Sequence, residues 1–416
     1  MSDDPRQIEN LRLMLDVSRR MAATTDLDLL LGTIVEAACR VLDCERATIF
    51  LHDRATDELY SRVATGKHQI RFPADRGIAG TAASQRTMVN VADAYNDDRF
   101  NPEIDKKTGF RTRNLLTFPL ENLDGDLVGV LQALNKRGGP FVDSDEEMAG
   151  VLSAQAGVAL HRWFLLEEYA EKQRLARDMD IARGIQQAML PDGNPLVDRY
   201  EIAGWNKPAD ETGGDCYDFL PLSDGRLAVI LADATGHGIG AALIIAQCRS
   251  LIRATLSVTD DLESVACHVN ELLADDLSES RFVTAFIGIL DPTRNEMQYV
   301  SGGQGPLLFL PADGQVDERP ASGLPFGVMP EAPYTLPPPF CFQPDSTLVL
   351  MTDGFFETAD ADQNLFGEQR VTDLVARHRD LPLSEVVRKV HDAVVAFAAG
   401  RPQADDLTAV LIRRRT

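Results

Sequence analysis

The sequence of 416 residues has few aromatic residues, no excess of basic residues and no repeated cysteine spacing. Only 6% of it is aromatic, whereas 44% is hydrophobic and 25% is charged, as is typical of folded proteins. The 64 acidic and 41 basic residues give a formal net charge of -23. This charge argues against nucleic acid as a partner, because a nucleic-acid surface requires a basic footprint. The length predicts two or three domains.

Two further absences bear on where the chain works. The six cysteines form no CxxC pair, so neither a zinc site nor a disulfide framework is expected. No run approaches the roughly 18 continuous apolar residues of a membrane span, and the start of the sequence lacks a signal-like segment. We therefore expect a cytoplasmic protein with no membrane partner.

The first third of the sequence is typical of a sensor-sized α+β unit. An amphipathic helix is predicted over about residues 5–24. The unit after it is expected to contain a helix over 27–44 and strands over 46–52, 115–120 and 127–134.

A long helix is predicted from about 146 to 190, ending before Pro191. Leu175, Met179, Ala182 and Met189 are spaced by three or four residues or their sums, which suits a helix seam between two copies of the chain. On this interpretation the protein is a homodimer joined by a coiled coil. The alternative, a helix that packs only on its own domain, is equally consistent with the pattern.

From residue 200 onward, apolar strand-like runs alternate with helical segments. The strands come as neighbouring hairpins, which predicts antiparallel sheets with helices packed outside them. Strands are predicted over 227–231, 282–290, 297–300, 307–310, 347–351 and 407–412, and helices over about 238–257, 261–277, 367–378 and 383–399. The fold class of the chain is therefore α+β.

Four aspartates of this second part follow glycine or lie next to an apolar strand. They are Asp215, Asp233, Asp353 and Asp405. Each alone is an ordinary turn residue, but together they form a set of carboxylates that a cation would neutralise. Oxygen ligands without cysteine or a histidine triplet favour Mg²⁺ or Mn²⁺ over zinc.

These aspartates lie in motifs that resemble the PPM family of metal-dependent serine/threonine phosphatases, in its bacterial SpoIIE-like branch. The matching segments are 208–218, 233–238, 323–328, 350–354 and 405–408. The resemblance covers about residues 180–416 and implies a β-sandwich flanked by helices, with two divalent cations at one edge.

The resemblance also implies a role for each ligand. Asp233 would bridge both cations, Ala234 would offer its carbonyl oxygen, Asp215 would lie on one side, and Asp353 and Asp405 would lie on the other. Asp215 and Asp233 would be the catalytic pair, and the cations would activate a water for in-line attack on phosphorus. The implied substrate is a phosphorylated protein of the anti-sigma-factor antagonist type.

Two positions near these motifs leave alternatives open. His237 could act as a general acid, or it could hold its loop by packing or hydrogen bonding. The segment 301–306 lacks the histidine that many relatives carry after the first glycine, so substrate preference or regulation at this loop stays open.

The first domain contains a second pattern, formed by Asn135, Lys136, Phe141, Asp145 and Glu146. A structural interpretation predicts that Lys136 pairs with Asp145 and fixes the loop after a strand, with Phe141 beneath. Such a pair contributes about 0–1 kcal/mol when exposed, so it matters mainly if partly buried.

Together with segments 75–80 and 94–114, this pattern resembles GAF domains of the cyclic-nucleotide-binding type, as in phosphodiesterases and cyclases, over about residues 25–165. The resemblance implies a pocket lined by Ile78, Ala79, Asp105 and Thr108 that binds cyclic AMP or cyclic GMP. Two alternatives are an empty pocket kept as scaffold and an Asp105 that only caps a turn.

The predicted domain organisation is a helix at 1–24, a GAF sensor at 25–165, a linker helix at 166–192 and a phosphatase domain at 193–416. The predicted function is a protein phosphatase regulated by the sensor. The alternative is a catalytically silent scaffold that captures a partner. A cyclic-nucleotide hydrolase is disfavoured because the first domain lacks a histidine-rich metal cluster.

Overall fold

The computed structural model describes residues 5–62, 70–278, 280–312 and 315–416, with side chains from residue 13 onward except at 107 and 108. The chain divides into two compact units, Met1–Gln173 and Arg174–Thr416. The finer division into four segments stays a prediction.

The first unit is a six-stranded antiparallel sheet with helices on both faces. Its elements are α1 Pro5–Ala23, α2 Leu27–Val41, β1 Cys44–Asp53, β2 Glu58–Tyr60, β3 Arg71–Pro73, α3 Gly77–Gln85, β4 Val89–Val91, α4 Pro102–Thr108, β5 Leu115–Glu121, β6 Leu127–Lys136 and the start of α5 Asp143–Gln187. The strand order is β3-β2-β1-β6-β5-β4. The three predicted strands of this unit lie within β1, β5 and β6, which confirms them.

Alternating side chains give the sheet of the first unit two buried faces. On one face, Ile34 of α2 and Leu152 of α5 pack with Phe118 of β5. On the other face, Ala82 of α3 packs with Val130 of β6. The strands therefore carry near-continuous apolar sequence, which made β5 and β6 recognisable.

The second unit continues from α5 with ten strands and five helices in its described residues. They are β7 Tyr200–Lys207, β8 Asp215–Pro221, β9 Leu227–Ala234, α6 Ile239–Leu256, α7 Leu262–Asp276, β10 Val283–Asp291, β11 Glu296–Gly302, β12 Leu307–Leu310, β13 Asp317–Arg319, β14 Phe340–Cys341, β15 Thr347–Met351, α8 Gly354–Glu357, α9 Gly367–Arg377, α10 Leu383–Phe397 and β16 Leu407–Arg414.

The strands of the second unit form two five-stranded antiparallel sheets packed face to face. Their orders are β14-β11-β10-β9-β8 and β13-β12-β15-β16-β7. Side chains from both sheets, such as Phe219 and Leu348, share one buried core. Helices α6 and α7 cover the outer face of the first sheet, and α9 and α10 cover that of the second. The predicted antiparallel sheets with helices outside are confirmed.

Several strands were not predicted from the sequence, and the long helix was predicted three residues too far along the chain. Helix α5 runs from Asp143 to Gln187 rather than over 146–190. Strands β7 and β8 were not predicted, because their mixed polar sequences carry no clear alternation. Their pairing with β16 and β9 makes them strands.

Among the described residues, α6 is the one helix long and apolar enough to cross a membrane by length and composition alone. Six of its residues, including Ile245 and Ile252, are buried in the core beneath the first sheet. This packing accounts for its apolar sequence.

Candidate functional site

Strands β8 and β9 place two of the predicted ligands side by side. Asp215 is the first residue of β8 and lies directly opposite Asp233 of β9 in the antiparallel register. Ala234 ends β9 and is 1% exposed. A Cβ on Gly214 would lie 2.6 Å from the Ala234 carbonyl oxygen, so only glycine allows this approach. The glycine directly before Asp215 is therefore required for steric reasons.

The other two predicted ligands lie at the ends of strands in the second sheet. Asp353 follows β15 and precedes α8, and Asp405 lies two residues before β16. A Cβ on Gly354 would lie only 2.1 Å from the carbonyl oxygen of Asp406, so the two segments can meet only with glycine at this position. Neighbouring β15 and β16 thereby bring the two carboxylates to one edge.

Burial and mutual repulsion shape the acidity of this group. Burial is the largest cause that raises the pKa of Asp215, followed by the charge of Asp233. Burial, then the charges of Asp353 and Asp405, raises the pKa of Asp233 to about 8. Burial, then Asp405, also raises the pKa of Asp353. The aspartates are thus within electrostatic reach of one another.

No cationic side chain neutralises these carboxylates within the described part of the chain. Asp218, three residues along β8, is a contrasting case. Its carboxylate lies 2.9 Å from Arg249 Nε and 2.6 Å from Arg253 Nη1. Strand β8 therefore carries two carboxylates in different settings. That of Asp218 is paired with two arginines, whereas that of Asp215 has no such partner among the described residues.

Two threonines orient the Asp215 carboxylate. The Thr352 hydroxyl donates to Asp215 Oδ2 at 2.8 Å, and the backbone N–H of Thr408 donates to the same hydroxyl oxygen at 3.0 Å. The second sheet thus fixes a side chain of the first.

Asp406 is a functional residue that the sequence interpretation missed. Its carboxylate accepts backbone N–H groups of Ala209 at 2.7 Å, Gly214 at 2.5 Å and Asp215 at 3.3 Å. A Cβ on Gly213 would lie 2.3 Å from Asp406 Oδ2. Asp406 therefore holds the loop that presents Asp215. Its place beside Asp405 in the sequence gave no sign of this separate role.

The donor set fits hard divalent cations. It consists of carboxylate oxygens, buried at Asp215, partly buried at Asp233 and Asp353 and exposed at Asp405, and of a backbone carbonyl, which are the ligands of Mg²⁺ and Mn²⁺. Among the described residues no three His, Cys, Asp or Glu side chains lie close enough together to hold a metal ion as they stand.

His237 and Gln304 lie in loops around the carboxylates. His237 Nδ1 lies 2.9 Å from Asp210 Oδ2, and the histidine side chain is 81% exposed. This contact joins the loop before Asp215 to the loop after Asp233, so His237 holds its loop by hydrogen bonding rather than by packing. In segment 301–306, the Gln304 amide donates to the Met351 carbonyl at 2.9 Å.

The end of α5 is tied to the loop that carries Asp215. Gln186 donates to the Gly213 carbonyl at 2.5 Å and accepts the Gly213 N–H at 3.0 Å. Both backbone polar groups of Gly213 are therefore held by one side chain. The two positions are 27 residues apart in the sequence, so the sequence alone does not reveal this contact.

In the first unit, the Asn-Lys pattern forms a clamp at the start of α5. Lys136 Nζ lies 2.6 Å from Asp145 Oδ1, and the two side chains are only 19% and 11% exposed. Asp145 Oδ2 also accepts the Val142 N–H, and Phe141 is buried beside the ammonium. Glu146 accepts from Asn90 at 2.9 Å. The predicted ion pair is present and partly buried.

Asn135 supports the same clamp from the end of β6. Its amide accepts the Arg113 N–H at 2.6 Å and donates to Glu45 and to the Arg111 carbonyl at 2.9 Å. Its own backbone has a φ of 58°. These contacts fix the segment before β5.

The predicted sensor pocket has its residues in α3 and α4. Ile78 and Ala79 are both 5% exposed, and Asp105 is 7% exposed. Asp105 accepts the Thr112 N–H at 2.7 Å and the Tyr95 hydroxyl at 3.1 Å. These contacts are structural, so its role in ligand binding stays a prediction. The side chain of Thr108 lies outside the described residues.

Comparison with known families matches both units. Residues 223–415 match the family model of stage II sporulation protein E (SpoIIE). Residues 26–160 match the model of the GAF domain. The two matches fall in different units of the structure.

Individual relatives match parts of the chain. The probable 3',5'-cyclic phosphodiesterase pde-5 of Caenorhabditis elegans is 30% identical over 187 residues, which are 41% of this chain and 25% of that protein. Protein IcfG of Synechocystis is 24% identical over 264 residues, 57% of this chain and 41% of that protein. The chain thus spans less than half the length of these relatives.

A solved structure resembles the fold of the second unit. The SiaA-PP2C domain of Pseudomonas aeruginosa superposes with a TM-score of 0.52 at 24% identity, covering 59% of this chain and 98% of that domain. This likeness concerns the arrangement of the two sheets and their helices.

Proposed function

The chain carries a SpoIIE-family, PP2C-type phosphatase domain at residues 223–415 and a GAF domain at residues 26–160, and from this premise we propose a metal-dependent protein serine/threonine phosphatase under the control of its GAF domain. The reaction is the hydrolysis of phosphoserine or phosphothreonine on a partner protein. The observation that carries the proposal is the facing pair of the buried Asp215 and the partly buried Asp233, which has no cationic partner among the described residues.

We assign Asp215, Asp233, Asp353, Asp405 and the carbonyl oxygen of Ala234 as ligands of two divalent cations, Mn²⁺ or Mg²⁺. When bound, two such cations activate a water for attack on phosphorus and neutralise the charge of the phosphoryl oxygens. The chemistry of the donor set and the unneutralised charge support this assignment.

Other residues of the chain position these ligands. Thr352 fixes one oxygen of Asp215. Asp406 and Gln186 hold the backbone on the two sides of Gly213, which keeps Asp215 opposite Asp233. Since this loop is held from two directions, a small movement of α5 would change the position of Asp215.

An assay of the full chain tests the proposed activity. Hydrolysis of p-nitrophenyl phosphate and of phosphoserine peptides is expected with Mn²⁺ and is expected to cease with a chelator. Asp233→Asn should remove the activity, whereas Asp192→Asn, on an exposed loop, should retain it. A silent scaffold would show no metal-dependent hydrolysis in any of these proteins.

The proposed substrate is a small phosphoprotein of the anti-sigma-factor antagonist type, in a partner-switching pathway. Specificity would come from protein surfaces outside the carboxylate site, because the phosphate group is common to all such substrates. The six free cysteines support a reducing compartment, and we propose that the protein works in the cytoplasm.

For regulation we propose that a cyclic nucleotide binds the GAF domain and that a homodimer transmits the change through α5. The helix exposes Leu175, Ile181 and Ile185, at 58% to 63%, which supports pairing of two copies as a coiled coil. A ligand can act only through a difference in its affinity for two arrangements. Phosphatase activity that is equal with and without saturating cyclic AMP or cyclic GMP would contradict this regulation.

A further inference from the structure

A groove lies on the second unit beside the loop that follows β9. Its volume is about 390 Å³, and it is bounded by the first turns of α6 and by the segment after α7. Leu243, Ile244 and Leu277 form its apolar wall, and Arg281 lies at one side. None of these residues is a proposed cation ligand.

The groove is directly connected to the candidate metal site through the backbone. The Thr235 N–H donates to the Phe282 carbonyl at 3.0 Å, and the Phe282 N–H donates to the Thr235 hydroxyl at 3.1 Å. Thr235 follows Ala234, and Phe282 follows Arg281. The loop after Asp233 and the segment that carries Arg281 are therefore neighbours in the fold.

The rim of the groove is apolar and exposed. Leu243 of α6 is 67% exposed, and the separate loop 323–329 carries Leu324, Val328 and Met329, which are 45% to 50% exposed. A Cβ on Gly327 would lie 2.9 Å from Leu277, so this loop packs against the groove wall. Neighbouring exposed apolar side chains of this kind mark interaction sites.

The same loop is held rigidly, which suits a binding surface. Phe326 is fully buried and exchanges two backbone hydrogen bonds with Val283, at 2.8 and 2.9 Å. The motif at 323–328 therefore has a buried anchor and exposed flanks. Its buried residue stabilises the loop, whereas Leu324, Val328 and Met329 keep about half of their surface open to solvent.

Arg281 places one positive charge at the groove, and Asp276 places one negative charge there. Among the described residues it forms no ion pair, whereas Asp276, on the other side of the groove, is hydrogen-bonded by Gln247. The guanidinium lies against Gly240, where a Cβ would be 3.2 Å from Nη1. On a chain of net charge -23, this local charge favours an anionic partner.

We propose that the docking surface formed by Leu243, Arg281, Leu324, Val328 and Met329 binds the segment of the phosphoprotein substrate next to its phosphorylated residue. An apolar side chain of the substrate occupies the groove, and an acidic side chain pairs with Arg281. This inference rests on the proposed phosphatase function and adds the sequence preference of its substrate.

A panel of phosphoserine peptides tests the docking surface in the full-length protein with Mn²⁺. The peptides carry leucine at one position near the phosphoserine and either aspartate or lysine at another. The native protein is expected to show a higher kcat/KM for the leucine–aspartate peptides. Arg281→Glu should shift the aspartate-to-lysine preference by about fivefold or more toward lysine, because an attractive pair becomes a repulsive one.

Leu243→Asp should lower the kcat/KM of the leucine peptides by about tenfold, relative to p-nitrophenyl phosphate, through a higher KM. Matched controls are Arg388→Glu and Val395→Asp on α10, which covers the other sheet. Both positions are exposed, and both controls should keep the native preference.

The outcomes separate this inference from the function on which it rests. Hydrolysis of p-nitrophenyl phosphate together with an unchanged peptide preference in Arg281→Glu and Leu243→Asp would overturn the docking surface alone. No Mn²⁺-dependent hydrolysis by the native protein would overturn both proposals. If Leu243→Asp instead converts a dimer to a monomer in sedimentation and keeps the peptide preference, a second copy of the chain covers the surface, and the inference is wrong.

Discussion

Replacing Asp233 by asparagine should stabilise the cation-free protein while it removes the proposed activity. Partial burial, and then the charges of Asp353 and Asp405, raises the pKa of Asp233 to about 8, from 3.8. Charging it in the folded state is therefore unfavourable. Asparagine has nearly the same shape and no charge, so the variant avoids this repulsion. The effect on stability is opposite to that of most substitutions at a buried position.

The pH dependence gives the sign and the size of the effect. Because the folded pKa of Asp233 is raised, its contribution to stability is complete below pH 3.8 and is lost as the pH rises toward about 8. One pKa unit corresponds to about 1.4 kcal/mol, and partial exposure and coupling reduce the total, so we expect a gain of about 2–4 kcal/mol near pH 7.5. Near pH 4 the two proteins should be almost equally stable.

Urea unfolding with chelator, at about pH 4.5 and about pH 7.5, measures this difference. Trp163 and Trp205 are the two tryptophans of the chain, and Trp205 lies in β7 of the second unit. In a Trp163→Phe background, fluorescence therefore reports the second unit alone. Asp192→Asn, at an exposed position, is the control and should change stability little at either pH.

Two results would refute this reasoning. One is equal stability of the native protein and Asp233→Asn at about pH 7.5 without cations. The other is a stability gain in the variant that does not grow between the two pH values. Either would mean that the carboxylates do not repel one another in the folded protein.

Three further predictions concern the residues that hold the sites. Gln186→Ala removes both hydrogen bonds to Gly213, so the Mn²⁺ concentration for half-maximal activity should rise severalfold, and an unchanged Mn²⁺ dependence would contradict the positioning role. Gly354→Ala places a Cβ against the Asp406 carbonyl and should destabilise the second unit by about 1–3 kcal/mol in urea unfolding, whereas Gly193→Ala, where a Cβ meets open space, should cost less. Asp145→Asn removes the charge that pairs with the partly buried ammonium of Lys136 and should lower the stability of the first unit by about 1–3 kcal/mol. Unfolding monitored by Trp163 fluorescence measures this loss, and an unchanged stability would show that the clamp is not stabilising.

The strands that could be predicted are those whose sequence pattern alone indicates a buried strand. Strands β15 and β16 are nearly continuous apolar runs because both of their faces are buried. Strand β8 begins with Asp215 and includes Asp218, so its sequence favours a turn. Its strand conformation depends on pairing with β9, and the arginines that neutralise Asp218 come from α6, which is distant in sequence.

Some residues of the candidate site could likewise be predicted from the sequence, and others could not. The aspartates could be proposed from their positions next to glycine and strand ends. Asp406 could not be distinguished from Asp405, because only the fold shows that its carboxylate accepts three backbone N–H groups. Arg281 and Gln186 were not singled out either. Their importance comes from the loops that the fold places beside them.

The most direct test of the account is anomalous diffraction at the manganese edge from crystals of the protein grown with Mn²⁺. The account predicts two anomalous peaks about 3.5–4 Å apart, with Asp233 in contact with both. Asp215 should contact one peak, and Asp353 and Asp405 the other. Peaks elsewhere on the surface, or none at the edge shared by β8, β9, β15 and β16, would contradict the proposed metal centre.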